Sequence, residues 1–135
     1  MTFGNIKELV AMKLKGDNAD AVVSTSLLLE AIKDIARRCE PKPLIDFLDD
    51  TKTDIFRVVS PIIDEYDEEI HLYIKLPTIE DSDTYVLPLE EELSSAVIYF
   101  LCEYLTRKEK LKGYYKNEAE NIILIYRTNK VENFE

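Results

Sequence analysis

From Pro88 onward the chain places Leu89, Leu93, Ala96, Val97, Phe100, Leu101, Tyr104 and Leu105 at steps of three, four and one. That spacing lines up one broad apolar face on a helix. A face so wide must be covered by other elements, so the fold is organised around it. Pro88 stands where a helix begins, and Glu90, Glu91 and Glu92 follow in the first turn, where the helix dipole favours anions. The apolar stripe resumes at Leu111, Tyr115, Ala119, Ile122, Ile123 and Tyr126. Between the two stripes, Thr106-Arg-Lys-Glu109 reads as a capping box, with Thr106 as N-cap and Glu109 reaching back. The pattern predicts two helices over about 89–105 and 107–129, and the short connection makes them antiparallel neighbours.

Two further helices are expected near the start. Phe3, Ile6, Leu9, Val10 and Leu14 have helical spacing over residues 3–15, and Gly16-Asp17-Asn18 is a stop signal. Ser24 or Ser26 caps the second helix, and Leu28, Ala31, Ile32, Ile35 and Ala36 form its stripe. Arg37 and Arg38 suit its last turn, and Pro41 and Pro43 end it. Residues 44–48 read as a short helical turn. Residues 54–60 are rich in β-branched and aromatic types and read as a strand. Residues 70–76 alternate, with Ile70, Leu72, Ile74 and Leu76 inward and His71, Tyr73 and Lys75 outward, which predicts a half-buried strand. The expected fold is mainly α with a small β element: a helical bundle built on the long C-terminal helix hairpin, two N-terminal helices and a short strand pair. Its 135 residues fit one domain, over 1–129, followed by a tail at 130–135.

The net charge of −10 argues against nucleic-acid binding, which needs Lys and Arg to neutralise phosphate, and against docking on an anionic membrane. No stretch reaches the ~18 apolar residues of a membrane span. The first residues lack the basic and apolar runs of a signal peptide, so a reducing cytoplasm is expected. Cys39 and Cys102 have apolar neighbours and read as free buried thiols. The single histidine, His71, has no evident nucleophile or acid to work with. Three glycines are too few for a phosphate cradle, and the acidic clusters lack the glycine and spacing of a calcium loop. No catalytic residue, cofactor site or metal site is therefore expected, and the chain reads as a non-enzyme. The charge is also uneven. Residues 40–103 carry four basic and seventeen acidic side chains, among them Asp64, Glu65, Asp67, Glu68 and Glu69. Arg107, Lys108, Lys110, Lys112 and Lys116 form a basic knot at the turn between the last two helices. Opposite poles of this kind favour stacking of one copy on another.

Four stretches share a further likeness: Leu72-Tyr-Ile-Lys-Leu-Pro77, Val86-Leu-Pro-Leu-Glu-Glu-Glu-Leu93, Ala96-Val-Ile-Tyr-Phe-Leu-Cys-Glu-Tyr104, and Gly113-Tyr-Tyr-Lys116 with Tyr126. In their order and punctuation the chain resembles the head-to-tail connector (adaptor or neck) proteins of tailed bacteriophages, over about residues 20–130. The resemblance implies a structural virion protein at the head–tail junction, assembled in the bacterial host cytoplasm. Its partners would be the portal protein, further copies of itself in a ring of about twelve, and a tail or neck protein. DNA would pass through the ring without specific binding. Asp64, Glu65, Asp67, Glu68 and Glu69 then become candidates for the channel lining or the subunit interface. Arg107, Lys108, Lys110 and Lys112 become candidates for partner contact. Val131 and Phe134, apolar residues in a polar end, are expected to dock on the portal or a neighbour. The competing reading is an acidic inhibitory or regulatory protein, such as a DNA mimic or an antitoxin-like partner. A DNA mimic would spread its carboxylates along one surface, whereas here they concentrate in loops and a helix start.

Overall fold

The computed structural model describes residues 1–132, with side chains through Asn129. Helices α1 (Phe3–Lys13) and α2 (Thr25–Arg38) lead through a single 3-10 turn (Lys42–Leu44) into five short strands. These are β1 (Ile45–Phe47), β2 (Ile55–Val58), β3 (Ile62–Ile63), β4 (Glu69–Ile70) and β5 (Leu72–Lys75). The chain closes with α3 (Glu91–Leu105) and α4 (Glu109–Glu132). The mainly α fold with a small β element is as the sequence predicts, and α3 and α4 form the expected hairpin.

The helices alternate in direction along α3. At one end of α3, Glu90 accepts the Lys42 N–H at 2.7 Å, just past the end of α2. The same carboxylate accepts the hydroxyl of Tyr126, near the end of α4, at 2.6 Å. At the other end, the loop after α1 is bonded to the α3–α4 turn through Asp17 and Asn18. So α1 and α3 run one way, and α2 and α4 the other. α3 packs on all three of the other helices. That central position explains its large buried set, which includes Leu93, Ala96, Val97, Ile98, Phe100, Leu101 and Cys102. From α1 come Phe3, Ile6 and Val10; from α2 Leu28, Ala31, Ile32, Ile35 and Ala36; from α4 Tyr115, Ala119, Ile123 and Tyr126. Ile74 brings the sheet into this core.

α1 begins with a capping box that uses asparagine. The Thr2 hydroxyl accepts the Asn5 N–H at 3.2 Å, and the Asn5 carbonyl accepts the Thr2 N–H at 3.1 Å. The same segment is laced to residues 83–87. The Phe3 N–H donates to the Tyr85 carbonyl at 2.8 Å, and the Gly4 N–H to the Asp83 carbonyl at 2.9 Å. Gly4 is required by that approach: a Cβ there would stand 3.0 Å from the Asp83 oxygen. α2 is capped by Ser24, whose hydroxyl accepts the Leu27 N–H at 3.2 Å.

The main sheet is antiparallel, in the order β1-β5-β2. Ile45 lies opposite Ile74 and Phe47 opposite Leu72, and on the other side Arg57 faces Ile74. Arg57 turns inward to α2, whose last carbonyls are left open by helix geometry. Its guanidinium donates to the Ala36 carbonyl at 2.7 Å and the Cys39 carbonyl at 2.8 Å. β3 and β4 form a separate two-stranded hairpin.

Several expectations are corrected. Residues 44–48 are not a helical turn beyond Leu44. The central β5 offers an unpaired edge, and Ile45-Asp46-Phe47 pairs with it as β1. The strand predicted over 70–76 is split, with Ile70 pairing in the hairpin, His71 between the two strands with its carbonyl accepting the Leu48 N–H at 2.9 Å, and Leu72–Lys75 in the sheet. Tyr73 is not outward in the sense of exposed: it is 1% accessible. The connection between β1 and β2 folds over that face, and Asp54 accepts the Tyr73 hydroxyl at 2.7 Å. Leu76, expected inward, is exposed beyond the end of β5. α3 starts at Glu91 rather than 89, and Glu90, expected in its first turn, is its N-cap residue. Finally, Thr106 is the C-cap of α3 and not the N-cap of α4, which starts at Glu109. Its hydroxyl is taken by Asp17, and Glu109 pairs forward with Lys112 at 3.0 Å. α4 continues to Glu132, past the point where a tail was expected.

Candidate interaction surfaces

The acidic candidates gather on the β3–β4 hairpin. Asp64 has a structural task there. Its carboxylate accepts the N–H of Tyr66 at 2.8 Å and that of Glu68 at 2.9 Å, which fixes the turn. Asp67 takes the left-handed conformation the turn needs, with φ of 58°. Glu65, Asp67, Glu68 and Glu69 are exposed. They are interleaved with apolar side chains in water: Ile62, Ile63 and, at the tip, Tyr66, which is 76% exposed. Phe47 and Val58 on the neighbouring sheet are exposed as well. His71 sits at the base of the hairpin, exposed, with Nε2 3.4 Å from Glu69.

The basic candidates occupy the α3–α4 turn. Arg107, Lys108, Lys110 and Lys112 are exposed, as is Lys116 one turn further on. Lys108, Glu109, Lys110 and Leu111 line an open hollow. The backbone beneath these side chains is held from a distance. The Asp17 carboxylate accepts the Thr106 hydroxyl and the Arg107 N–H, the latter at 2.9 Å. Asn18 donates its side-chain amide to the Leu105 carbonyl at 2.8 Å. The Thr106 hydroxyl in turn accepts the Lys108 N–H at 3.2 Å. The bond from the Thr106 hydroxyl, then that from the Arg107 N–H, hold the Asp17 carboxyl below its ordinary pKa of 3.8. Nearby, on α4, Tyr114 is half exposed.

The sheet from which the acidic hairpin extends and the basic turn lie at opposite ends of the helical hairpin. The sheet follows directly on Lys42, which is bonded to the start of α3, while the basic turn closes the far end. Fifteen helical residues separate these ends, or about 22 Å. The structure therefore groups the acids with one another and the bases with one another, and keeps the two groups apart. Val131 and Phe134 lie outside the residues whose side chains are described.

The buried polar groups serve the fold. Burial, then the bond to Asp54, pushes the Tyr73 hydroxyl up to about 12. Tyr104, bonded to Asp34 on α2, and Tyr126, bonded to Glu90, are raised further for the same two reasons. All three stay neutral donors at any physiological pH. Both cysteines are buried and neither is in a disulfide, and burial lifts the Cys102 thiol to about 11. That leaves Cys102 a thiol rather than a nucleophilic thiolate at neutral pH. Among the described residues, no group of three or more His, Cys, Asp or Glu side chains is placed to hold a metal ion. No helix among them is long and apolar enough to cross a membrane.

Two features of these surfaces were not read from the sequence. One is the exposed apolar set Ile62, Ile63 and Tyr66; the residues flanking the acidic run were its only signal. The other is the clamp from Asp17 and Asn18, which looked like a simple helix stop. No protein-family model, curated protein or solved structure matches the chain.

Proposed function

We propose that this chain is a structural virion protein that forms a ring between the capsid portal and the tail of a bacteriophage. In this role it extends the DNA channel and offers the tail a platform. It carries out no catalysis, and DNA passes through without specific binding. The observation that carries the reading is the arrangement of elements. A small sheet inserted between α2 and α3 leads into a central apolar helix and a long antiparallel partner, in the order the connector resemblance implies. Oppositely charged ends about 22 Å apart support it, because a closed ring joins one face of each subunit to a different face of the next. The acidic inhibitor reading gains less support. Its carboxylates would track along one surface, and here five of them sit on one small hairpin.

The test is assembly on a portal. Purified chain is mixed with portal rings from the same phage genome and imaged by electron microscopy. A coaxial layer of about twelve densities under the portal is the expected result. Portals that stay bare while the chain is folded and in excess overturn the reading.

A further inference from the structure

We infer that the β3–β4 hairpin of one copy docks onto the α3–α4 turn of a second copy, with Tyr66 seated at the hollow lined by Lys108, Glu109, Lys110 and Leu111. The inference rests on the ring reading in taking the occupant to be another copy of this chain, and it decides between the two tasks left open for the acidic residues. A channel lining that lets DNA slide is wetted and gains nothing from apolar side chains. The hairpin instead exposes Ile62, Ile63 and Tyr66 among Glu65, Glu68 and Glu69. Apolar side chains ringed by charge are the composition of a docking surface. Its counterpart is on the same molecule: a hollow lined by Lys108, Glu109, Lys110 and Leu111, with Arg107 and Lys112 exposed beside it. Glu109 pairs with Lys112 at 3.0 Å, and the remaining cations leave the turn basic, so the fit is one of charge, acidic hairpin to basic turn. The sheet from which the hairpin extends stands at the other end of α3 from the turn. A hairpin that meets the turn of another copy makes a contact that repeats head to tail. Asp64 is not part of the contact, since its carboxylate is used inside the turn.

The experiment uses the full chain at low salt and high concentration, read by sedimentation equilibrium. The unmodified chain self-associates, and the association weakens as salt is added. Two variants are made, Glu65→Lys with Glu68→Lys, and Lys108→Glu with Lys110→Glu. Circular dichroism and thermal melts first show that both fold. Each alone sets like charges against each other and weakens association by roughly tenfold or more. An equimolar mixture restores it, because every hairpin again meets a turn of opposite sign. Tyr66→Ala weakens association without altering its salt dependence. An unmodified chain that stays monomeric overturns the inference, as do variants that associate like the parent or a mixture that fails to recover. The same variants on portal rings separate this result from the ring reading. Layers that form despite both reversals remove the surface assignment and leave the ring. Recovery in the mixture over bare portals removes the portal role and leaves the contact.

Discussion

Asp17 joins parts of the chain ninety residues apart, and it does so through its charge. Thr106 and the Arg107 N–H both bond to the carboxylate, and Lys108 and Arg107 add favourable charge. A carboxyl held below its ordinary pKa favours the folded state wherever it is ionised. That contribution is complete above the unfolded value, near 3.8, and is lost as pH falls through the lower folded value. Asp17→Asn keeps an acceptor but loses the charge. It is expected to lower the melting temperature at pH 7, and the gap from the parent should close as melts are repeated down to about pH 2. A gap that persists in acid would assign the effect to shape rather than charge. Arg57 acts at the same scale by closing the end of α2 from a neighbouring strand, a role for which its own sequence neighbourhood carries no sign.

Among the elements, two glycines separate helix propensity from packing. Gly113 lies in α4 with open space where a Cβ would go, so Gly113→Ala should stabilise the protein by about 0.5–1 kcal/mol. Gly4 is also helical, yet a Cβ there meets the Asp83 backbone, and Gly4→Ala should cost about 1–3 kcal/mol. Urea unfolding of the two variants checks both signs. The helices were legible because a broad apolar stripe repeats over many residues: α2 buries all five residues the spacing nominates, and α3 buries Leu93, Ala96, Val97, Phe100 and Leu101, with Tyr104 and Leu105 partly buried at its end. The strands were legible only in part. Three residues such as Ile45-Asp46-Phe47 hold too few repeats to show a period, and they are strand because β5 stands beside them. Tyr73 obeys the alternation, but the far face of its sheet is roofed by a connection whose path no local pattern encodes. The supposed capping box failed for a similar reason. The Thr106 hydroxyl donates to Asp17, remote in sequence, and accepts the Lys108 N–H, while Glu109 pairs with Lys112 instead of reaching back. The charged members of the candidate surfaces were legible as composition. Their separation into two poles was not, because it follows from the direction of α3.

At the scale of the whole molecule, stability is unevenly distributed. α3 packs on every other helix, while β3 and β4 pair only with each other and β3 exposes Ile62 and Ile63. Native-state hydrogen exchange should therefore find the slowest amides in the middle of α3, near Val97 and Leu101, and much faster exchange at Asp64 in the hairpin. Comparable protection in both would mean that the chain opens as one unit. The basic turn differs from the hairpin in a way that bears on association. Asp17 and Asn18 fix its backbone in the isolated subunit. Ordering a residue's backbone costs about 1–2 kcal/mol, and at this turn folding has already met that cost. In the contact proposed above, a partner arriving there would have only side chains left to immobilise, so the turn would be preorganised and more of the docking energy would survive as affinity.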